Sequence, residues 1–333
     1  MGSSDKVPPP EISPEFREIF RQYADEGGAM SFARFMELAL YHPALGYYRR
    51  DTIRVGYNAG SDFYTASTSG PLFGELIVAA CVTLLGSGRN PHDYTFLEIG
   101  AESEGGVLTE IAHPFAAART IRVGEAPKIA GRCVVFSNEL FDAQPYRRFV
   151  FRRGLWRELG VTLRGDALVE TEAEISPPVT FLPATAPEGY VFDAPDAATR
   201  LLTQIAAQPW SGLFVACDYG KSLRELAEAT PAGTARAYFR HTQSHDLLAR
   251  PGQQDLTCHV CWDWLSDALT RANFASPTIE SQEAFFIRQA GNFIAATSAE
   301  EAARFSQRKL SLMQLLHPAH LGQKFQVLHA LRD

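Results

Sequence analysis

Apolar positions along this chain change period several times, and the changes outline alternating helices and strands. From Ser13, Phe16, Ile19, Phe20 and Tyr23 recur at three- and four-residue steps, the spacing of a helix with one buried face. A second helix is predicted after Ser31, whose hydroxyl can cap it, through Phe32, Phe35, Met36, Leu38 and Ala39. It stops at Tyr41-His42-Pro43, because a proline disfavours helical geometry in the residue before it. Residues 44–70 are turn-rich and aromatic, and so long a segment without periodicity reads as functional. Pro71–Leu85 reads as an apolar helix with proline in its first turn.

The stretch Tyr94–Leu108 organises the remainder. Its apolar run Phe96-Leu97-Glu98-Ile99 stops at Gly100, and a small, acidic loop opens a short helix predicted around Gly105–Ala117. Further strands are predicted at 119–123, 133–136, 212–217 and 325–331, with helices at 197–208, 262–272 and 300–316. Residues 146–172 alternate with period two between glycines, as an antiparallel meander does. Residues 173–192 show no clear period, and 221–257 read as polar, His-containing loops. Strands alternating with helices predict an α/β fold with a mostly parallel, doubly wound sheet, into which the meander is inserted.

Composition narrows the classes of function. The 333 residues are 46% hydrophobic and 21% charged, as in a soluble globular protein with a large core. A net charge of −7 argues against a general nucleic-acid binder and fits a basic partner, such as a protein presenting Arg or Lys. No stretch approaches the length of apolar sequence that crosses a membrane. The first residues carry Asp5, Glu11 and Glu15 and lack the apolar core of a leader. The five cysteines sit mostly in apolar runs and read as reduced thiols, so a cytoplasmic location is expected.

Three strand ends could carry chemistry: Glu98/Gly100, Asn138/Glu139/Asp142 and Asp218/Tyr219. In open α/β sheets ligands bind beyond the carboxyl ends of strands, so polar residues placed there converge on one crevice. Asn138, Glu139 and Asp142 offer an amide and two carboxylates, able to hold a guanidinium or to accept a proton from a substrate nitrogen. The same residues could instead cap a helix. Cys258-His259-Val260-Cys261 has no second ligand pair, so packing is favoured over zinc and no metal is expected. No G-x-S-x-G elbow and no phosphate-loop motif occurs.

Several stretches together resemble the MidA-like class I methyltransferases, a family that includes a mitochondrial complex I assembly factor. They are FMELALYHPALGYY (35–48), SDFYTASTSGPLFGELI (61–77), FLEIG (96–100), VVFSNELFDAQPYRRF (134–149), ACDYG (216–220), RPGQQDLTCHV (250–260) and LGQKFQVL (321–328). The resemblance spans roughly residues 30 to 330 and implies a Rossmann-like methyltransferase sheet, S-adenosyl-L-methionine as cofactor, and methylation of arginine in a protein. It implies Asn138, Glu139 and Asp142 as catalytic residues, and Glu98, Gly100, Gly105, Gly106, Asp62 and Thr65 as cofactor contacts. Phe63, Tyr64, Asp218 and Tyr219 would meet the substrate, with the Ser61–Ser67 loop closing over the crevice. The implied organisation is a disordered tail at 1–13, an N-terminal helical and active-site loop region at 14–92, and a methyltransferase domain at 93–333. A β-meander subdomain is inserted into the last at about 146–192. A homodimer is a further expectation.

The chain departs from the family pattern after its first sheet strand. Where the family has Gly-Pro-Gly-x-Gly, this chain has Gly100-Ala101-Glu102-Ser103-Glu104-Gly105-Gly106. Carboxylates there oppose a cofactor carboxylate at a helix start. Ser61 also replaces the glycine that precedes the family's Asp-Phe. Only 38 residues separate Gly100 from Asn138, room for about one strand-helix unit. The acid that would bind the ribose hydroxyls is then missing, Glu125 being the nearest candidate. Two functions are therefore carried forward: a methyltransferase with a remodelled cofactor site, and a binding or assembly module without methyl transfer.

Overall fold

The computed structural model describes residues 12–50, 70–101, 106–175, 177–302 and 306–333. Helix α1 (Pro14–Tyr23) starts where Ser13 Oγ accepts the Phe16 N–H at 3.1 Å. After β1 (Ala29–Ser31), Ser31 caps α2 (Phe32–Tyr41) in the same way. Phe16, Phe20, Phe32 and Phe35 bury in one cluster between the two helices. The expected tail falls largely on residues 1–11, outside those described; Ile12 is buried and Ser13 is the cap of α1.

The apolar helix α3 (Pro71–Leu85) leads to β2 (Thr95–Ile99), β3 (Ala117–Ile121) and β4 (Gly131–Asn138). An antiparallel sheet follows, built from β5 (Arg147–Arg152), β6 (Leu155–Arg164), β7 (Ala167–Ala173) and β8 (Val191–Ala194). In it β1 also pairs with β6, so the N-terminal region is stitched to the inserted strands. Next come α4 (Asp196–Ala206), β9 (Trp210–Asp218), β10 (Gly220–Lys221) and α5 (Leu223–Glu228). A small sheet of β11 (Arg236–Phe239), β12 (Thr242–Ser244) and β13 (Asp255–Thr257) precedes β14 (Val260–Cys261) and α6 (Trp262–Arg271). The chain closes with β15 (Ala275–Ser281), α7 (Gln282–Gln289), α8 (Gly291–Glu300), α9 (Gln307–Leu316) and β16 (Gln326–Arg332).

The main sheet runs β15-β16-β9-β4-β2-β3. Its strands β3, β2, β4 and β9 are parallel, and β16 and β15 each pair antiparallel to the preceding neighbour. Alternate residues of each strand enter opposite layers. Phe96, Val134 and Val215 pack against α3, α7 and α9, while Leu97, Val135 and Phe214 pack against α4 and α6. A sheet covered on both faces needs continuous apolar runs, which is how its central strands read in sequence.

Three expectations are corrected here. The helix predicted around Gly105–Ala117 does not form: 107–110 is a turn, and Ala117 already begins β3. Gly106 (φ +74°) and Glu110 (φ +61°) take the left-handed conformation, and Pro114 lacks an N–H, so no helical ladder can propagate. The segment lies hard against α3, where a Cβ on Gly74 would overlap Val107 O. The long helix predicted at 300–316 is two helices, α8 ending at Glu300 and α9 starting after its cap, Ser306. The polar stretch 221–257 contains α5 and the small sheet, whose strands of three or four residues are too short to reveal a period.

Candidate active site at the strand ends

The turn after β4 is held by hydrogen bonds from both backbone and side chains. Glu139, at φ +52°, sits in a region that non-glycine residues rarely adopt. Its N–H donates to Cys217 O at 2.9 Å, extending the β4–β9 ladder by one bond before the chain folds back. The Asn138 Nδ2 amide donates to Glu139 Oε1 at 3.0 Å. Asp218, fully buried at the end of β9, accepts the Phe141 and Tyr219 N–H groups at 2.9 Å each and is also bonded by the amides of Leu140 and Asp142. One carboxylate thus holds the whole turn. The expectation that Asp218 meets substrate is corrected on this ground: its oxygens face backbone donors, and its role is to position.

Asp142 is 3% exposed; the Ala143 N–H bonds to its carboxyl, and its Oδ1 has no hydrogen-bond partner among the described residues. Among the described residues Asn138 Oδ1 and Ser137 Oγ, buried at the same strand end, also lack one. Burial pushes the Asp142 carboxyl well above the usual carboxylate range, and repulsion from Asp218, Glu139 and Asp255 adds to the shift. Burial likewise pushes Asp218 up to about 7, against the pull of its amide donors. Those donors favour the anion at Asp218.

The opposite wall comes from elements whose site role the sequence pattern did not reveal. Asp255, on β13, accepts the Tyr48 O–H at 2.8 Å and its neighbour Leu256 N–H at 2.9 Å. Tyr41 stacks on Tyr48, with ring centroids 5.4 Å apart, and donates its O–H to Ala143 O at 2.8 Å. The N-terminal aromatic segment is in this way bonded to both the turn after β4 and the small sheet. Tyr219 packs on Phe325 at 4.1 Å and lies parallel to His259, whose pKa is lowered to about 4 by burial and by Lys221 and Arg236. His259 is therefore neutral at pH 7. Tyr48 and Asp255 lie within the quoted family stretches, and that placement was their available signal.

The β2–β3 end is more open. Glu98, 8% exposed, accepts the Val107 N–H at 2.6 Å, and burial pushes its carboxyl up to about 7. Gly100 (φ +82°) donates its N–H to Ile121 O at 2.8 Å, and a Cβ there would crowd Leu140. Gly106 lies over Glu98, where a Cβ would overlap Oε2. A cavity of about 320 Å³ lined by Phe96, Glu98, Leu108, Ala118, Arg119 and Thr120 opens beside β3. Four residues beyond β3, Glu125 accepts the Arg122 N–H at 3.1 Å, and Arg49 donates to Val123 O at 3.1 Å. Among the described residues no strand lies outside β3.

The parallel register of β2, β4 and β9 brings Glu98, Gly100, Asn138, Glu139, Asp142 and Tyr219 to one side of the sheet. Asp62, Phe63, Tyr64, Thr65 and Gly105 lie outside the described residues. The buried Glu98 carboxylate suits the cationic amino-acid end of S-adenosylmethionine. At the nucleoside end the chain offers Glu125 and the open edge of β3. The residues present fit the cofactor, with Glu98, Gly100 and Gly106 towards its amino-acid end and an exposed nucleoside end.

A family described as "Putative S-adenosyl-L-methionine-dependent methyltransferase" matches residues 113–279, half of the chain. The chain belongs to that family. It is 24% identical over 373 residues to the protein arginine methyltransferase NDUFAF7, mitochondrial, of Danio rerio, covering 91% of this chain and 84% of that protein. It is 25% identical over 204 residues to the Mus musculus protein of the same name, covering 59% of this chain and 45% of that one. A Burkholderia thailandensis protein crystallised with S-adenosyl-homocysteine shares the fold, with a TM-score of 0.80 at 23% identity over 97% of this chain and 95% of that one. The cytoplasmic expectation is corrected by the same comparison, since both curated relatives are named as mitochondrial. Reduced-looking cysteines describe a redox environment and carry no address.

Proposed function

We propose that this methyltransferase-family chain methylates a guanidinium nitrogen of arginine in a protein. The observation that carries the reading is the turn after β4, where Asn138 Oδ1 and Asp142 Oδ1 are buried without donors among the described residues, beside Glu139. A guanidinium is a planar fork of N–H donors and answers such acceptors. The zebrafish and mouse relatives, named as protein arginine methyltransferases, support this substrate class.

S-adenosylmethionine, when bound, supplies a methyl group already activated on a sulfonium. Glu98, Gly100 and Gly106 would lie at its amino-acid end, where Glu98 fixes the start of the loop through the Val107 N–H. Asn138 and Asp142 orient the guanidinium. The carboxylate of Glu139 accepts the proton that the nitrogen loses. Asp218 keeps all three residues in place. Tyr219, with Phe325 behind it, shields one side of the crevice from water.

The test is transfer of labelled methyl from S-adenosylmethionine to arginine-containing peptides and proteins. Glu139→Gln is expected to lower the rate by about 100-fold or more while S-adenosylhomocysteine still binds. Unchanged transfer in that variant would remove Glu139 from the chemistry. A second reading, guanidinium binding without transfer, draws on the short run between β2 and β4, and it requires that S-adenosylhomocysteine not bind at all.

A further inference from the structure

We propose that the antiparallel sheet of β5 to β8 holds the substrate side of the crevice in place, with Asp193 and Thr234 as positioning residues for methyl transfer. The inference rests on the arginine reading above and adds to it the part of the fold that fixes the site from outside the main sheet.

The segment Cys258–Val260 is hydrogen-bonded in two directions. The Cys258 N–H donates to Asp142 O at 3.0 Å and the Val260 N–H to Tyr219 O at 2.9 Å, so two of its amides fasten the turns that follow β4 and β9. The His259 N–H between them donates instead to Thr234 Oγ1 at 3.2 Å. Thr234 passes the connection on: its own N–H donates to Asp193 Oδ2 at 2.7 Å, and the Ala235 N–H joins the same oxygen at 2.9 Å. The other oxygen of Asp193 accepts Arg148 Nη1 at 2.7 Å. Arg148 and Asp193 are direct cross-strand partners on β5 and β8. The chain before Thr234 is seated on β8 as well, since the Val191 N–H donates to Pro231 O at 2.9 Å. Gly233 lies so close to Asp193 Oδ2 that a Cβ there would overlap it.

Asp193 thus does for the antiparallel sheet what Asp218 does for the main one. One buried carboxylate collects several donors, and the Arg148 guanidinium balances its charge. Asp193, Thr234 and Cys258 are all buried, so water is not at hand to replace a lost partner, and each bond resists being broken alone. A shift at Thr234 is therefore passed through Cys258–Val260 to Asp142 and Tyr219. Methyl transfer depends steeply on how the substrate nitrogen is aligned, and this path acts on that alignment. Glu98 and Gly100 share none of these bonds, so cofactor affinity should be untouched.

The experiment compares Thr234→Val with Thr234→Ser in the full chain. Valine keeps the shape and the backbone N–H but removes the acceptor of the His259 N–H, whereas serine retains it. Thr234→Val is expected to lower kcat for transfer to arginine-containing protein by about tenfold. The KM for S-adenosylmethionine should stay within about twofold, and Thr234→Ser should stay within about twofold of the parent in both constants. Hydrogen exchange read by mass spectrometry should quicken at least about tenfold over residues 258–260 and 140–144 in the valine variant, with 95–99 unchanged. Asp193→Asn, which leaves either Arg148 or the two amides without an acceptor, should give the same pattern. Thr234→Ala removes the same acceptor and serves if the valine variant does not fold. Faster exchange confined to 258–260, or equal losses in the valine and serine variants, would overturn the proposal. Parent-like exchange and kcat in Asp193→Asn would remove Asp193 from it. A parent that methylates no arginine would overturn the arginine reading, and the exchange pattern would then decide the anchoring by itself.

Discussion

The turn after β4 and the edge formed by β2 and β3 lie side by side on one sheet, yet they are built to different standards. The first is held from every direction: Asp218 takes four backbone amides, Tyr41 bonds to Ala143, and Tyr48 bonds to Asp255. The second has no helix between β2 and β3 among the described residues, an outer strand with Ala117, Ala118 and Arg119 exposed, and a distal carboxylate, Glu125, on the surface. The family match begins at residue 113, so it contains the firm region and leaves out Gly100 and Gly106. The difference has a chemical reason. S-adenosylmethionine brings its own reactivity, so its far end needs little beyond retention. Alignment of the substrate nitrogen must come from the protein, and that side cannot be loose.

The most severe way to break the firm region is Asp218→Ala, which leaves several buried N–H groups without an acceptor. A loss of about 3–5 kcal/mol of unfolding free energy is expected by chemical denaturation. A loss under about 1 kcal/mol would show that the turn holds itself.

The open region is sharpened by pH. The folded-state pKa of Glu98 is raised from 4.5 to about 7, so its contribution to stability is complete below about pH 4.5 and is lost as pH rises through about 7. At 1.36 kcal/mol per pKa unit, the loss is about 3 kcal/mol. Asp218 and Asp142 shift in the same direction and steepen the fall. Glu98→Gln should flatten the stability profile over this window, and a profile as steep as that of the parent would exclude Glu98 as its source. A smaller effect is expected from Gly106→Ala, about 1–3 kcal/mol, because the added methyl strikes Glu98 Oε2 in a left-handed backbone. Gly165→Ala provides the control: φ is +62°, but nothing lies within 4 Å of the new Cβ, and about 1 kcal/mol is expected there. Equal losses at the two glycines would mean that contact with Glu98 contributes nothing.

Much of this comparison is legible in the sequence, and the illegible part has physical causes. Phe96–Ile99, Cys133–Phe136 and Gly212–Cys217 read as strands because both their faces are buried. Asn138, Glu139 and Asp142 follow such a strand directly, which marked them as site candidates. The helix expected after Gly100 failed because two left-handed residues and Pro114 outweigh the apolar spacing of its segment. Asp255 escaped notice because β13 is three residues long, in a polar stretch without a period. The positioning role of Asp218 could not be read either, since the Phe141 amide that it accepts lies 77 residues away in the chain.

The central claim is that a chain with a shortened nucleoside side still grips the cofactor by its amino-acid end. Calorimetry with S-adenosylhomocysteine and with 5′-methylthioadenosine, which lacks the amino-acid end, tests it most directly. S-adenosylhomocysteine is expected to bind, and 5′-methylthioadenosine to bind at least about tenfold more weakly, a difference of about 1.4 kcal/mol. Equal affinity for the two, or no binding of S-adenosylhomocysteine at millimolar concentration, would contradict it.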